Sequence, residues 1–215
     1  MTKTTKVHRQ TAESYDDPKH NYAEYWKGRE YEHAAEEAAI TKLIGAKRFD
    51  KAVDVGGGFG RLSKFLTRFC DDVTLAEPSQ QQLDIAKDFL KDVKHVSAVK
   101  AQASDLPYKD ASVDLVLVVR VLHHIPDPTP EFKEISRVLK PGGSFVLEFA
   151  NNNHFLNRVR YSMKGKKVPK DPVDIRTGAN RSEEEIAFVN HHPETIVKQL
   201  AKEGLVVKRV LSGSN

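Results

Sequence analysis

The stretch Ala52-Val53-Asp54-Val55-Gly56-Gly57-Gly58-Phe59-Gly60-Arg61-Leu62 decides how this chain is read. A short apolar run ends in four glycines within five positions, and an apolar-periodic segment follows at once. The pattern predicts a strand, a tight turn and a helix. Glycine is needed where the backbone takes a positive φ, or where a ligand must approach the main chain more closely than a Cβ allows. A helix starting near Gly60 turns its unpaired N–H groups and the positive end of its dipole into the turn. The stretch is therefore shaped to hold a small polar ligand against bare backbone.

Spacing narrows the ligand. A dinucleotide fingerprint needs G-x-G-x-x-G. Counted from Gly56 the third glycine falls on Arg61, and counted from Gly57 the second falls on Phe59. A phosphate loop is excluded because no Gly-Lys-Ser/Thr follows. What fits is Asp54-x-Gly56-x-Gly58-x-Gly60. An acid at the lip suits a ligand carrying an ammonium group better than a pyrophosphate.

Asp54 to Gly60 resembles the glycine motif of class I S-adenosylmethionine (SAM)-dependent methyltransferases of the type 11-like group. The resemblance continues through Leu75-Ala76-Glu77-Pro78-Ser79, Leu106-Pro107-Tyr108, Val113-Asp114-Leu115-Val116, Val121-Leu122-His123-His124-Ile125 and Leu139-Lys140-Pro141-Gly142-Gly143. These matches keep the family's order and spacing from about Ala52 to Phe149. The resemblance implies an α/β fold, a doubly wound, Rossmann-like and mainly parallel sheet with helices on both faces. It implies SAM as cofactor and S-adenosylhomocysteine as product. Gly56, Gly57, Gly58 and Gly60 would cradle the methionine part, and Asp54 would orient its ammonium through the turn.

Length and composition set bounds. At 215 residues, 39% hydrophobic and 30% charged, the chain suits one soluble α/β domain with a full core. The formal net charge of +4 is spread along the chain, without the dense basic stripe of a nucleic-acid binder. One cysteine, Cys70, excludes an internal disulfide and fits a reducing cytosol. No apolar run approaches the ~20 residues of a membrane span, and Met1 to Lys6 lacks the apolar region of a signal peptide. A cytoplasmic protein is expected.

Residues 1–50 read as an N-terminal helical cap and 51–215 as the SAM-binding core. From Pro18 to Ile44 the pattern is helical, with Tyr22, Tyr25 and Trp26 in one turn beside Arg29. Two readings stay open: the aromatics are edge core, or they close over the cofactor. Under the second, which the resemblance implies, Trp26 lies on the cofactor and Arg29 pairs with its carboxylate.

After the turn, Leu62, Phe65, Leu66 and Phe69 recur at helical spacing. Asp72 to Ala76 reads as the second strand. Glu77 lies seventeen residues after Gly60, where a doubly wound fold sets an acid against a ribose. Ser79 and Gln82 form a capping box behind Glu77 and Pro78. Val96 to Val99 is the third strand, and Gln102-Ala103 follow at its end. The resemblance sets Gln102 against the adenine amino group, although the family usually carries an acid or Asn there. Asp105 is the nearby alternative.

Val113 to Val119 is the most apolar β-branched run and reads as a central strand buried on both faces. Ligands in such sheets bind at strand carboxyl ends, at the switch in strand order. Val119 and Arg120 are thus expected at the methionine part. His123 and His124 follow, each either a base candidate or a packed residue. No Cys or acid completes a metal-ligand set around them. Thr129-Pro130 opens a helix that Pro141-Gly142-Gly143 stops, and Ser144 to Phe149 is the fifth strand.

Residues 154–192 read as an acceptor-side lid. Its cations, among them Arg158, Arg160, Lys164, Lys166, Lys167 and Lys170, fit either an acidic or phosphorylated acceptor or a solvated loop. Ser182 with Glu185 predicts a second capping box. His191 and His192 are base candidates or helix-entry residues. Leu205 to Leu211 predicts a sixth strand, and no stretch remains for the seventh strand that the family carries. That implies an open edge, and with it a homodimer or a structural accommodation.

The chain is thus expected to be a SAM-dependent methyltransferase transferring a methyl group to a small molecule, with no nucleic-acid partner and no membrane span. Its rival is a non-catalytic SAM-binding or interaction protein.

Overall fold

The computed structural model describes Asp16, residues 22–174 and residues 188–211. In chain order the elements are α1 (Tyr22–Tyr25), α2 (Glu30–Ile44), β1 (Phe49–Val55), α3 (Arg61–Leu66), β2 (Cys70–Glu77), α4 (Gln80–Leu90) and β3 (Val96–Lys100). There follow β4 (Val113–Val118), a 3-10 turn (Leu122–His124), α5 (Thr129–Val138), β5 (Leu139–Leu147), α6 (Phe155–Met163) and α7 (Pro193–Lys202). The strands form one sheet in the order β3-β2-β1-β4-β5, and every pairing is parallel. The chain winds outward from β1 to β3, returns to the middle, and winds outward again to β5. This is the doubly wound Rossmann-like fold.

Alternation along the central strands divides the core between two faces. Val53, Val55, Val116 and Val118 point to one face and meet Phe132 and Ile135 of α5 and Ile196 of α7. Ala52, Leu115 and Leu117 point to the other and meet Ile40 of α2 and Phe65 and Leu66 of α3. A one-residue slip would exchange the two sets of packed side chains, so the register Val55 opposite Val118 is tightly specified. Cys70 is buried at the start of β2, and burial pushes its thiol up to about 12, as befits a core residue.

Four expectations are corrected. The helical stretch from Pro18 to Ile44 is interrupted between α1 and α2, where Gly28 takes φ 77°. Pro141-Gly142-Gly143 do not stop α5, which ends at Val138; they lie inside β5, where Gly142 has φ 80° and the pairing with β4 shifts register. The Ser79 hydroxyl caps α4 by accepting from Gln82 N at 3.2 Å, but the Ser79 N–H goes to Glu77 at 2.9 Å rather than to the Gln82 side chain.

Finally, Leu205–Leu211 is not a strand. Leu205 N–H donates back to Leu200 at the end of α7, Arg209 donates to the Lys42 carbonyl at 2.9 Å, and Val206 and Val210 are exposed. A valine-rich segment becomes a strand only against a partner, and among the described residues no strand takes the outer edge of β5. Ser182 and Glu185 lie outside the described residues.

Candidate functional site

β1 and β4 are neighbours whose following connections leave in opposite directions. Their carboxyl ends, Val55 and Val118, therefore border the crevice where such sheets bind ligands. The glycine turn rises from Val55. Gly56, Gly58 and Gly60 take φ of 66°, 60° and 87°, and Gly60 is the N-terminal cap of α3. Gly57 is required for a different reason. A Cβ there would stand 2.4 Å from Asp54 Oδ2 and 2.7 Å from Leu75 Cδ1.

Two carboxylates brace this turn from behind. Asp54 is 1% exposed and accepts from the Ser63 hydroxyl at 2.7 Å; burial raises its pKa to about 6. Glu77 accepts from Gly58 N–H and Ser79 N–H, each at 2.9 Å, and so links the turn to the start of α4. Those bonds favour its ionised form, but burial outweighs them and its pKa is raised to about 7. Pro78 lies between these two anchors. Gln82 is 2% exposed with neither end of its carboxamide paired, and its Oε1 is 3.8 Å from where a Gly58 Cβ would be. A buried, unpaired amide beside bare backbone asks for a polar ligand, which fits an adenosyl compound here.

The N-terminal cap closes over this corner. The Tyr22 ring rests on Gly58, 3.1 Å from the place of a Cβ, and stacks edgewise on Phe59. Trp26 is buried against two guanidinium groups, with Arg61 3.6 Å and Arg120 4.9 Å from its ring centroid. Both arginines converge on Glu36 of α2, at 2.6 Å each. Arg120 sits just beyond β4 at φ 60°, and its N–H donates to Glu148 at 2.8 Å. Val119, next to it, is packed in the core.

The sequence-derived candidates are not all assembled. Asp54, the glycines, Glu77, Trp26 and Arg120 come together. Arg29 pairs instead with Glu32 at 2.8 Å and covers Tyr25. Gln102 is exposed and forms an isolated bridge with Asp105, with Ala103 half-buried in that turn. Tyr22 is one of the aromatics that the second reading closes over this corner, whereas Glu36, Arg61 and Gln82 carried no expected site role. Gln82 was legible only as half of a capping box, and the tertiary contact of Glu36 with two distant arginines leaves no local signal.

Beyond β4, the His123 and His124 rings lie with centroids 3.7 Å apart, tilted at 58° to each other, and Phe188 stacks on His123. His191 is buried and bonds the Leu122 carbonyl through Nε2 at 2.9 Å; His192 caps α7 by accepting from Glu194 N–H. These two are helix-entry residues. Among the described residues no group of three His, Cys, Asp or Glu side chains is arranged to hold a metal ion.

Comparison with known proteins matches residues 53–147 to a methyltransferase domain family. A ubiquinone/menaquinone biosynthesis C-methyltransferase, UbiE, from Shewanella frigidimarina is 32% identical in an alignment of 164 positions that covers 72% of this chain. The chain spans 65% of the length of that relative. A possible histamine N-methyltransferase from Thermotoga maritima shares the fold at a TM-score of 0.63 and 23% identity, over 91% of this chain and 81% of that one. So does a SAM-dependent methyltransferase from Leishmania major at a TM-score of 0.67 and 16% identity, over 90% and 71%. The strand order and glycine turn agree with these similarities, and residues 53–147 carry the methyltransferase domain that the family model describes.

Proposed function

We propose that this chain binds SAM at the glycine turn and transfers its methyl group to a small-molecule acceptor. The observation that carries the reading is the bare backbone of Gly56 and Gly58 at the sheet's switch point, braced by Asp54 and Glu77 and faced by the unpaired Gln82 amide. SAM bound there would supply an electrophilic methyl on its sulfonium. The turn would hold the methionine part through main-chain N–H groups, with Asp54 beneath it. Glu77 and Gln82 would meet the ribose hydroxyls, with Pro78, Gln102 and Ala103 towards adenine. Trp26 and the main chain at Val119 and Arg120 would close the methyl-bearing end, and Arg29 would reach the carboxylate only by leaving Glu32.

The chain's work is then to exclude water and align the acceptor for in-line displacement, which is catalysis by proximity and orientation. A base is needed only where the acceptor stays protonated near neutral pH, and we assign that role to His123 or His124, on the turn after β4. Similarity to C-methyltransferases makes carbon the first acceptor atom to test. The cations of the 154–192 segment favour an acceptor with an acidic or phosphorylated group, the outer edge of β5 favours a homodimer, and one buried cysteine fits the cytoplasm.

A second reading has one observation behind it: Tyr22 covers Gly58, as in a protein that does not turn over. Calorimetric titration with SAM, S-adenosylhomocysteine and NADH in parallel tests both. Saturable binding of the adenosyl compounds alone, followed by methyl transfer to a screened acceptor, is expected. Binding without any transfer would favour the second reading, and failure of a folded chain to bind either adenosyl compound would end the first.

A further inference from the structure

Helix α6 is built inside out. Its one buried residue is polar: Asn157 is 1% exposed, and its Nδ2 donates to the Asn152 carbonyl at 2.5 Å. Its apolar residues face away from the protein, with Phe155 and Leu156 each 68% exposed, Val159 41% and Met163 84%. At 3.6 residues per turn these four share an arc of about 100°, and Asn157 lies opposite. Arg158 and Arg160 stand on either side of the arc, both exposed. Lys164, Lys166 and Lys167 follow, and no acidic residue occurs from Phe155 to Lys170, although Lys170 itself pairs with Glu194 at 2.8 Å. A shallow hollow of about 340 Å³ on this face is lined by Phe155, Arg158, Val159, Ser162 and Met163.

Folding normally turns the apolar stripe of a surface helix inward. Here the outward stripe is anchored from behind by an amide, so the exposed face is held in place. Its chemistry selects an occupant. A second copy seated on it about a two-fold axis would bring these cations against their own copies, with no carboxylate in the segment to answer them. A negatively charged bilayer answers both parts: acyl chains take the apolar arc, and headgroup phosphates meet cations whose long stems reach outward from its borders.

We propose that α6 docks this chain on an anionic lipid surface. Phe155, Leu156, Val159 and Met163 enter the headgroup–acyl boundary, while Arg158, Arg160 and the lysines after them pair with phosphates. Because α6 follows the carboxyl end of β5, docking turns the ligand-binding edge of the sheet towards the bilayer.

The test is flotation of the full chain with vesicles of phosphatidylcholine alone and of equal parts phosphatidylcholine and phosphatidylglycerol. Partitioning about tenfold stronger to the anionic vesicles, and weakened by salt, is expected. Phe155→Ser with Met163→Ser should remove about tenfold of that binding, and Arg158→Glu with Arg160→Glu should remove the preference for anionic lipid. Every variant should keep the parent's melting temperature and its S-adenosylhomocysteine affinity, since the altered side chains are exposed. Absence of vesicle binding, or binding that the variants leave unchanged, overturns the proposal. So does a dimer in sedimentation that the serine variants dissolve, which would give this face to a second copy. None of these readouts needs turnover, so docking and methyl transfer can fail separately.

Discussion

Arg120 Nε donates to Glu36 Oε1 at 2.6 Å, and Glu36 Oε2 takes Arg61 Nη2 at the same distance. One carboxylate on α2 thereby ties the second residue after β4 to the first residue of α3. Glu36 and Arg61 have side chains only 16% and 10% exposed, and Trp26 lies against both guanidinium groups. The N-terminal cap is therefore fastened at the crevice by charge as well as by aromatic packing. Removing the carboxylate leaves two cations facing each other without their shared partner.

Glu36→Ala should accordingly loosen the cap. Breaking a buried pair costs about 3–5 kcal/mol, and partial exposure here reduces that to about 2 kcal/mol. The melting temperature should fall by about 4–8 °C. Hydrogen exchange should accelerate in α1 and α2 more than in β1 or β4. Uniform acceleration across the sheet would show that Glu36 is not a latch for the cap.

Gly57 and Gly28 separate two reasons for glycine. Gly28 has φ 77° but open space around it, whereas Gly57 has no positive φ and a Cβ there meets Asp54 and Leu75. Gly57→Ala should cost about 1–3 kcal/mol by overpacking, lower the melting temperature by several degrees and weaken S-adenosylhomocysteine binding. Gly28→Ala should cost about 1 kcal/mol and leave binding alone, as read by parallel melts and titrations.

Glu77 should impose opposite pH dependences on folding and on binding. Its pKa is raised in the fold from 4.5 to about 7, so the folded protein holds the proton more tightly than the unfolded chain does. Its contribution to stability is complete below pH 4.5 and is lost as pH rises through about 7. Asp54, raised from 3.8 to about 6, acts in the same direction over a lower window. Ribose hydroxyls donate to the ionised carboxylate, so adenosyl affinity should rise through pH 7 with release of a proton. Calorimetry in buffers of different ionisation enthalpy measures that proton. Glu77→Gln should flatten the binding profile and lower affinity about tenfold or more; a profile that keeps its slope would remove Glu77 from the ribose.

The core and the turn were legible because their signals are local. Alternating valines in β1 and β4, the glycine spacing and Thr129-Pro130 at the start of α5 each act through neighbours in sequence. What was not legible depended on distant partners. Leu205–Leu211 has strand composition but no strand beside it, and Pro141-Gly142-Gly143 reads as a helix stop although β4 recruits it into β5. Arg29 reads as the cation for the cofactor's carboxylate and Arg120 as a contact to its methionine part, and only the fold reveals that the Arg29 side chain is held by Glu32 while that of Arg120 reaches Glu36 and Trp26.

Arg120 also offers a reversal of the usual order of small residues. It holds φ 60°, a left-handed conformation that costs a residue with a Cβ about 1–2 kcal/mol. Arg120→Ala and Arg120→Gly both lose the bond to Glu36, and both keep the N–H that donates to Glu148. The alanine variant keeps the backbone strain and the glycine variant sheds it. Denaturant midpoints should therefore place Gly above Ala by about 1 kcal/mol, with both below the parent. Were Ala the more stable, the segment after β4 would have relaxed out of the left-handed region once its latch was gone, and the conformation at Arg120 would be a product of the Glu36 contact rather than of the crevice itself.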